Sequence, residues 1–288
     1  MSRNKDRMGL GSTTPEQASV PPQALAQTQS ENPFSFVVPT EFVELPSKGL
    51  FYGEGHPLHN QDTIEIKQMT AKEEDILTSR ALLKKGVALD RVISSIIIDK
   101  KINPATLLVG DRNAILIAAR VSGYGNEYHT KATCPSCSAV QEYQFDLNEA
   151  EVYAGDGLLP EEGVKNDDGT FTTILPKTKV EVTYRLLNGA DERALLTQLE
   201  NARKRKKEEN SITRQLKQIV VAVNGDVEQK NINFVVDNMP SSDSRHLRMV
   251  YKLSTPNVDM TQNFECAECG YEQDMEVPLT ADFFWPDR

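Results

Sequence analysis

The sequence predicts an α+β protein. Helical bundle segments are combined with a β element that is split across the chain and pinned by four cysteines, behind a disordered N-terminal tail. Three observations carry this. Hydrophobic periodicity switches along the chain between the helical 3.6 and the strand period of 2. All four cysteines fall into two C-x2-C pairs, Cys134/Cys137 and Cys266/Cys269. Residues 1–40 carry Pro15, Pro21, Pro22, Pro33 and Pro39 and few large apolar side chains, too little buriable surface to offset the entropy of ordering.

The 288 residues allow one large domain or two small ones. With 39% hydrophobic and 26% charged residues the chain is globular but polar. It contains no apolar run near 18 residues, so no membrane span is expected. The opening MSRNKDRMGLGSTTPEQ lacks the apolar core of a signal peptide, and the expectation is a chain that stays in a cytoplasm. A net charge of −10 repels a phosphate backbone over most of the surface, which disfavours non-specific nucleic-acid binding.

Taken in order, the tail is read either as passive or as an arm that orders on a partner. The folded part begins near Glu41–Leu45, and Leu45-Pro46-Ser47-Lys48-Gly49-Leu50-Phe51-Tyr52 is a turn punctuated by Pro46 and Gly49. Ile64-Glu65-Ile66 alternates as a strand. Thr70-Ala71-Lys72-Glu73 is a capping box opening a helix whose apolar positions are Ile76, Leu77, Leu82 and Leu83, with Gly86 as its C-cap. Leu89, Val92, Ile93, Ile96 and Ile97 form one buried helical stripe. Asp111 caps a third helix through Ile115, Leu116, Ala118 and Ala119, which closes at Gly123-Tyr124-Gly125.

Strands are expected at Tyr128–Thr133 and Val140–Phe145, a loop at 154–170 and a hairpin at Thr172–Tyr184 turning at Pro176-Lys177. Asn188 to Val223 reads as helix, with Asn188 and Asp191 as a capping-box variant and Gly225-Asp226 ending the run. Asn231–Phe234 is a turn or short helical entry, a last helix spans about Ser242–Lys252, and Phe264–Pro278 returns to strand.

Two residues between cysteines let both thiolates of a pair reach one metal from a tight turn, and two such knuckles make a tetrahedral four-sulfur site, the arrangement of zinc ribbons. A common ribbon leaves 15–20 residues between pairs; here residues 138–265 intervene. Lengthening the closed loop from about 18 to about 130 residues costs only roughly 1.7 kcal/mol, against roughly 10–16 kcal/mol available from structural zinc. One shared structural zinc on Cys134, Cys137, Cys266 and Cys269 is therefore the expectation. Thiol–disulfide exchange is disfavoured, because a redox C-x-x-C normally opens a helix and neither pair does. His56, His59, His129 and His246 are expected to be solvated rather than ligands.

Arg203-Lys204-Arg205-Lys206-Lys207 is the one cationic run. It is a solvated helix segment offset by Glu200, Glu208 and Glu209, or a contact for an acidic protein partner, or, with a zinc ribbon, for nucleic acid. Phe283-Phe284-Trp285 is either an aromatic docking anchor or packs on its own domain. GxxxxGK[ST], GxGxxG, HExxH and G-x-S-x-G are absent, and Gly9-Leu10-Gly11 lacks the strand–helix context of a phosphate loop. No catalytic constellation and no small-molecule substrate are expected.

Several stretches together carry a resemblance: Leu45 to Tyr52, Met69-Thr70-Ala71-Lys72-Glu73-Glu74-Asp75-Ile76-Leu77, Gly110-Asp111-Arg112-Asn113-Ala114-Ile115-Leu116, Gly123-Tyr124-Gly125, the first knuckle and the ending Phe283-Phe284-Trp285-Pro286. The chain resembles the baseplate hub subunit family of contractile-tailed, T-even-like bacteriophages, closely over about 40–150 and more loosely over 180–288. The resemblance implies a non-enzymatic tail protein made in the infected host's cytoplasm, partnered by other baseplate, hub or tail proteins. It either stays in the virion or acts during hub assembly and leaves. The organisation expected is an arm at 1–40, a strand and helical part at 41–127, and a split ribbon at 128–288, whose halves (128–150 and 260–280) enclose an inserted strand and helix region at 151–259. A cysteine-to-serine change is expected to open 140–265 to protease.

Overall fold

The computed structural model describes residues 38–84, 86–205, 210–277 and 281–284. The expected N-terminal arm falls outside them. β1 (Thr40–Glu44) and β2 (Thr63–Lys67) pair antiparallel with Val43 opposite Ile64, both buried. The turn between them needs a glycine at 49. Its φ is +69, and a Cβ there would meet Gln61 N at 2.3 Å and Leu58 O at 2.4 Å.

The helix expected from Thr70 to Gly86 is two helices, α1 (Ala71–Thr78) and α2 (Arg80–Lys84). Ser79 between them is extended at ψ 103. Leu77 reaches the core, whereas Leu83 is 40% exposed, so burial does not require one continuous helix through both. α3 (Ala88–Ile96) buries Val92, Ile93 and Ile96, with Ile97 just beyond; Leu89 at its start is outside the stripe. α4 (Val109–Tyr124) ends at Gly125, whose φ of +82 breaks the helix. Its N-cap is Leu108, not Asp111, which lies inside the first turn and is drawn elsewhere.

The α1 capping box closes through Glu73, which is fully buried. Its carboxylate accepts from Thr70 N–H at 2.9 Å, Thr70 Oγ at 2.6 Å, Lys67 Nζ at 3.0 Å and Ser95 Oγ, joining β2, α1 and α3. Burial pushes the carboxyl up, but the donors from Ser95, Thr70 and Lys67 outweigh it and hold the pKa at about 2. The folded value lies below the unfolded one, so this stabilisation is present above about pH 4.3 and is lost as pH falls toward 2. Glu73→Gln is expected to lower stability at pH 7 by about 2 kcal/mol, with the gap to wild type closing between about pH 4.5 and 2. Urea midpoints of both proteins across that range are the check, and a gap that ignores pH would rule the charge out as its cause.

β3 (Glu127–Thr133) and β4 (Val140–Asp146) form a hairpin in full register from Glu127↔Asp146 to Thr133↔Val140. After β5 (Glu151–Tyr153) the chain enters the region expected as loop. It does contain one short strand, β6 (Val164–Lys165), which pairs with β7 (Phe171–Ile174), itself hairpinned to β8 (Glu181–Tyr184). α5 (Gly189–Lys204) opens with the expected Asn188/Asp191 box: Asn188 Oδ1 accepts from the Ala190 and Asp191 amides, and Asp191 accepts from Asn188 N–H, each at 3.0 Å.

α6 (Ser211–Ile219) stops four residues before the expected helix end. Val220–Val223 is β9, the fourth strand of the antiparallel sheet β6-β7-β8-β9, with Val182 opposite Val223. Three of the four residues in Val-Val-Ala-Val are β-branched, and a sheet neighbour wins over continuation of the helix. α7 (Gln229–Asp237) is a full helix where only a turn or helical entry was read, and α8 (Ser241–Ser254) follows. β10 (Asn257–Asp259) pairs with β5, Asp259 opposite Glu151. β11 (Thr261–Glu265) and β12 (Glu272–Glu276) make the second hairpin, and a 3-10 turn spans Ala281–Phe284.

From Val38 onward the chain is one compact unit, and one core cluster runs from Val43 to Phe284. The β5–β10 pairing brings both ends of the 151–259 region side by side. α4 lies close against β10: a Cβ on Gly110 would meet Pro256 O at 2.0 Å, and Asn113 Nδ2 donates to Asn257 Oδ1 at 3.0 Å.

Candidate metal centre

The two hairpins present equivalent knuckles. In the first, Cys134 N–H donates to Ala139 O at 2.8 Å and Ser138 N–H to Cys134 O at 2.9 Å; in the second, Cys266 N–H donates to Tyr271 O at 2.9 Å and Gly270 N–H to Cys266 O at 2.8 Å. Ser138 and Gly270 hold the same left-handed position, with φ of +60 and +65. The first cysteine of each pair is buried and the second exposed.

The hairpins are separate two-stranded sheets joined by side chains. Gln141 accepts from Ala267 N–H and donates to Glu265 O, both at 2.9 Å, and Tyr143 OH donates to Asn263 O at 2.9 Å. At the other end Gln262 donates to Asp146 O at 2.6 Å and accepts from Asp146 N–H at 3.1 Å. Phe264 is buried between them, 5.1 Å from the Tyr143 ring, in a small cluster with Ala132, Cys134 and Cys266.

This packing brings residues more than 120 positions apart into one cluster. The four Sγ atoms lie within 4.8 Å of one another, with Cys134–Cys269 at 3.8 Å and Cys137–Cys266 at 3.7 Å. A metal about 2.3 Å from four sulfurs sets a tetrahedral edge of about 3.8 Å. The cluster fits that polyhedron, and all four cysteines are free thiols.

The electrostatics also call for a cation. The Cys137 amide, helped by that of Ser136, draws the Cys134 thiol down to about 7. At Cys269 the Tyr271 amide pulls down, but the thiols of Cys137, Cys266 and Cys134 together with burial push it up to about 12. Four sulfurs this close cannot all carry charge without a counter-ion.

A model of the T4 bacteriophage base plate protein family matches residues 39–285. The chain belongs to that family. This baseplate protein is thus a structural component of a bacteriophage tail. No curated protein and no solved structure matches it significantly. Among the described residues no helix is long and apolar enough to cross a membrane.

The other expected site residues of the baseplate protein are scattered. Arg203, Lys204 and Arg205 are exposed at the end of α5; Lys206 and Lys207 lie outside the described residues. Phe283 and Phe284 pack on their own domain, the second of the two places read for them. They are 2% and 3% exposed, and Phe283 meets the Tyr128 ring edge-on at 5.2 Å, because the core below β3 lacks a cover without them. Trp285 lies outside the described residues. Three of the four histidines are held rather than solvated. His56 stacks on Tyr52 at 4.4 Å, His59 Nδ1 is 2.6 Å from Tyr52 O, and His246 Nε2 is 3.1 Å from Thr173 Oγ1; His129 is exposed, as expected.

Sequence reading missed two buried organising charges. Asp111 accepts from Ser47 N–H at 3.0 Å and from Ser47 Oγ and Tyr52 OH at 2.6 Å each, while Tyr52 OH accepts from Leu108 N–H at 3.0 Å. Two stretches that carried the family resemblance therefore meet at one carboxylate. Arg120, fully buried, donates to the carbonyls of Phe283 at 2.7 Å, Gly125 at 2.6 Å and Glu127 at 2.9 Å. The only available signal was an arginine on the apolar side of a helix.

Proposed function

We propose that this baseplate protein is a non-enzymatic subunit of the baseplate hub whose distant segments are held by one structural zinc. The single observation that carries the reading is the four-sulfur cluster at tetrahedral spacing inside a chain of the baseplate family. Cys134, Cys137, Cys266 and Cys269 would hold the ion, and zinc suits four thiolates. Its contribution is cross-linking, not chemistry on a substrate. The 128–150 and 260–280 segments act as the two halves of a zinc ribbon around the inserted 151–259 region, with 41–127 as the preceding part. Partners are other hub and tail proteins, met in the virion after synthesis in the host cytoplasm. Arg203, Lys204 and Arg205 are offered for contact with one of them.

Quantitative mass spectrometry of purified virions against infected-cell lysate tests the hub reading. A fixed copy number per particle is expected. Abundance in lysate with none in virions would replace it with a transient assembly factor, and salt-dependent binding to DNA would replace it with a nucleic-acid binder.

A further inference from the structure

We propose that an open groove between α1, α3 and the start of α5 docks an acidic segment of a partner protein. The groove encloses about 1130 Å³. Its walls carry Lys67, Lys72, Arg91, Lys100 and Arg193 against one carboxylate, Asp90, on a chain whose net charge is −10. The concentration of positive charge therefore runs against the composition.

Pairing within the chain leaves part of that charge unmatched. Lys67 is neutralised by Glu73 at 3.0 Å, and Asp90 serves both Arg112, at 2.8 Å, and Arg193. Lys100 donates to the carbonyls of Ser94, Ser95 and Ile97 at 3.1, 3.3 and 2.6 Å, which engages its three donors, and it forms no ion pair among the described residues. Lys72 and Arg91 are exposed, with no ion-pair or hydrogen-bond partner among the described residues. Between the cations the lining mixes Ser94, Ser95 and Asn103 with Ile76 and Ile98, the last 41% exposed.

Two open cations, Lys72 and Arg91, with the charge of Lys100 beside them and exposed isoleucine surface between, fit a short segment bearing two carboxylates and a large aliphatic side chain. A nucleic acid fits less well. Its tight binders make about 6–10 phosphate contacts, and the chain as a whole carries a net charge of −10.

The test uses the full chain and fluorescence anisotropy with three labelled probes: a peptide alternating Glu and Leu, its Gln-for-Glu counterpart, and a single-stranded oligonucleotide. The Glu peptide is expected to bind and the Gln peptide to bind at least tenfold more weakly. The exposed charge reversals K72E/R91E should weaken the Glu peptide at least tenfold, while K230E/R245E on α7 and α8 should leave it unchanged. Circular dichroism of each variant confirms the fold. The proposal is overturned if the Glu peptide does not bind, if the Gln peptide binds equally, if both double variants lose binding alike, or if the oligonucleotide binds more tightly through Lys72 and Arg91.

Discussion

Asp111→Ala is expected to lower the unfolding free energy by about 4 kcal/mol. The carboxylate is fully buried in the first turn of α4 and satisfies three donors, two on Ser47 and one on Tyr52. Each buried donor left without an acceptor costs about 1–3 kcal/mol, and the cavity adds to this. A protein of this kind has about 5–15 kcal/mol in total, so the variant should be partly unfolded near body temperature. Asp111→Asn keeps the shape but turns a donor toward Tyr52 OH, and should recover less than half the loss. Burial holds the Asp111 carboxyl above its ordinary value. Its contribution is therefore fullest below the unfolded value near 3.9 and declines as pH rises through the folded one, opposite in sign to Glu73. Chemical denaturation of wild type, D111A and D111N at pH 7 decides the matter. A loss under 1 kcal/mol in D111A would mean that the turn at 45–52 is held by other contacts.

Loss of the proposed metal is the second large effect. A strong chelator, or Cys134→Ser or Cys269→Ser, should release one zinc per chain and destabilise the protein by about 5 kcal/mol. The figure follows from topology. The chain-entropy relation acts on the unfolded chain, where β5 and β10 are apart, so the cross-link closes about 130 residues and contributes nearly 5 kcal/mol. In the folded chain β5 pairs with β10 and shuts the region between the knuckles at Glu151↔Asp259, so loss of the cross-link would loosen the two hairpins first. The structure thus narrows what the sequence led one to expect. Protease sites should open within 128–146 and 261–276 rather than throughout 140–265. Metal analysis by plasma mass spectrometry, with limited proteolysis mapped by peptide mass, tests both parts. Absence of zinc from pure protein, or cleavage first inside α5–α8, would contradict them.

What the sequence disclosed and what it withheld divide along contact distance. Capping boxes at Thr70 and Asn188 and the two knuckles were legible because their partners lie within five residues. The stripe on α3 was legible because its period is internal to the helix. Val220–Val223 was misread as helix because the strand it becomes is chosen by β8, some 40 residues earlier. Asp111 was misread as a cap for a similar reason: helix-start chemistry suits a local Asp, whereas its partners sit at Ser47 and Tyr52. The apolar ending was ambiguous between docking and packing until Arg120 and Tyr128 supplied a seat for Phe283. The cysteines are the instructive exception. Their long-range meeting was readable because coordination chemistry demands four ligands and the chain offers four.

The split placement of the knuckles also has a consequence in time. Cys134 and Cys137 leave the ribosome about 130 residues before Cys266 and Cys269, an interval of roughly 6–26 s at ordinary elongation rates. Over that interval the first knuckle has two cysteines and no partner hairpin, while the four-stranded sheet and α5–α8 are being made. Phe283 and Phe284, which cover Tyr128 and receive Arg120, come later still. A chain cut before Phe283 would therefore lack the cover over Tyr128, and one cut before Cys266 would lack half of the cysteine cluster as well.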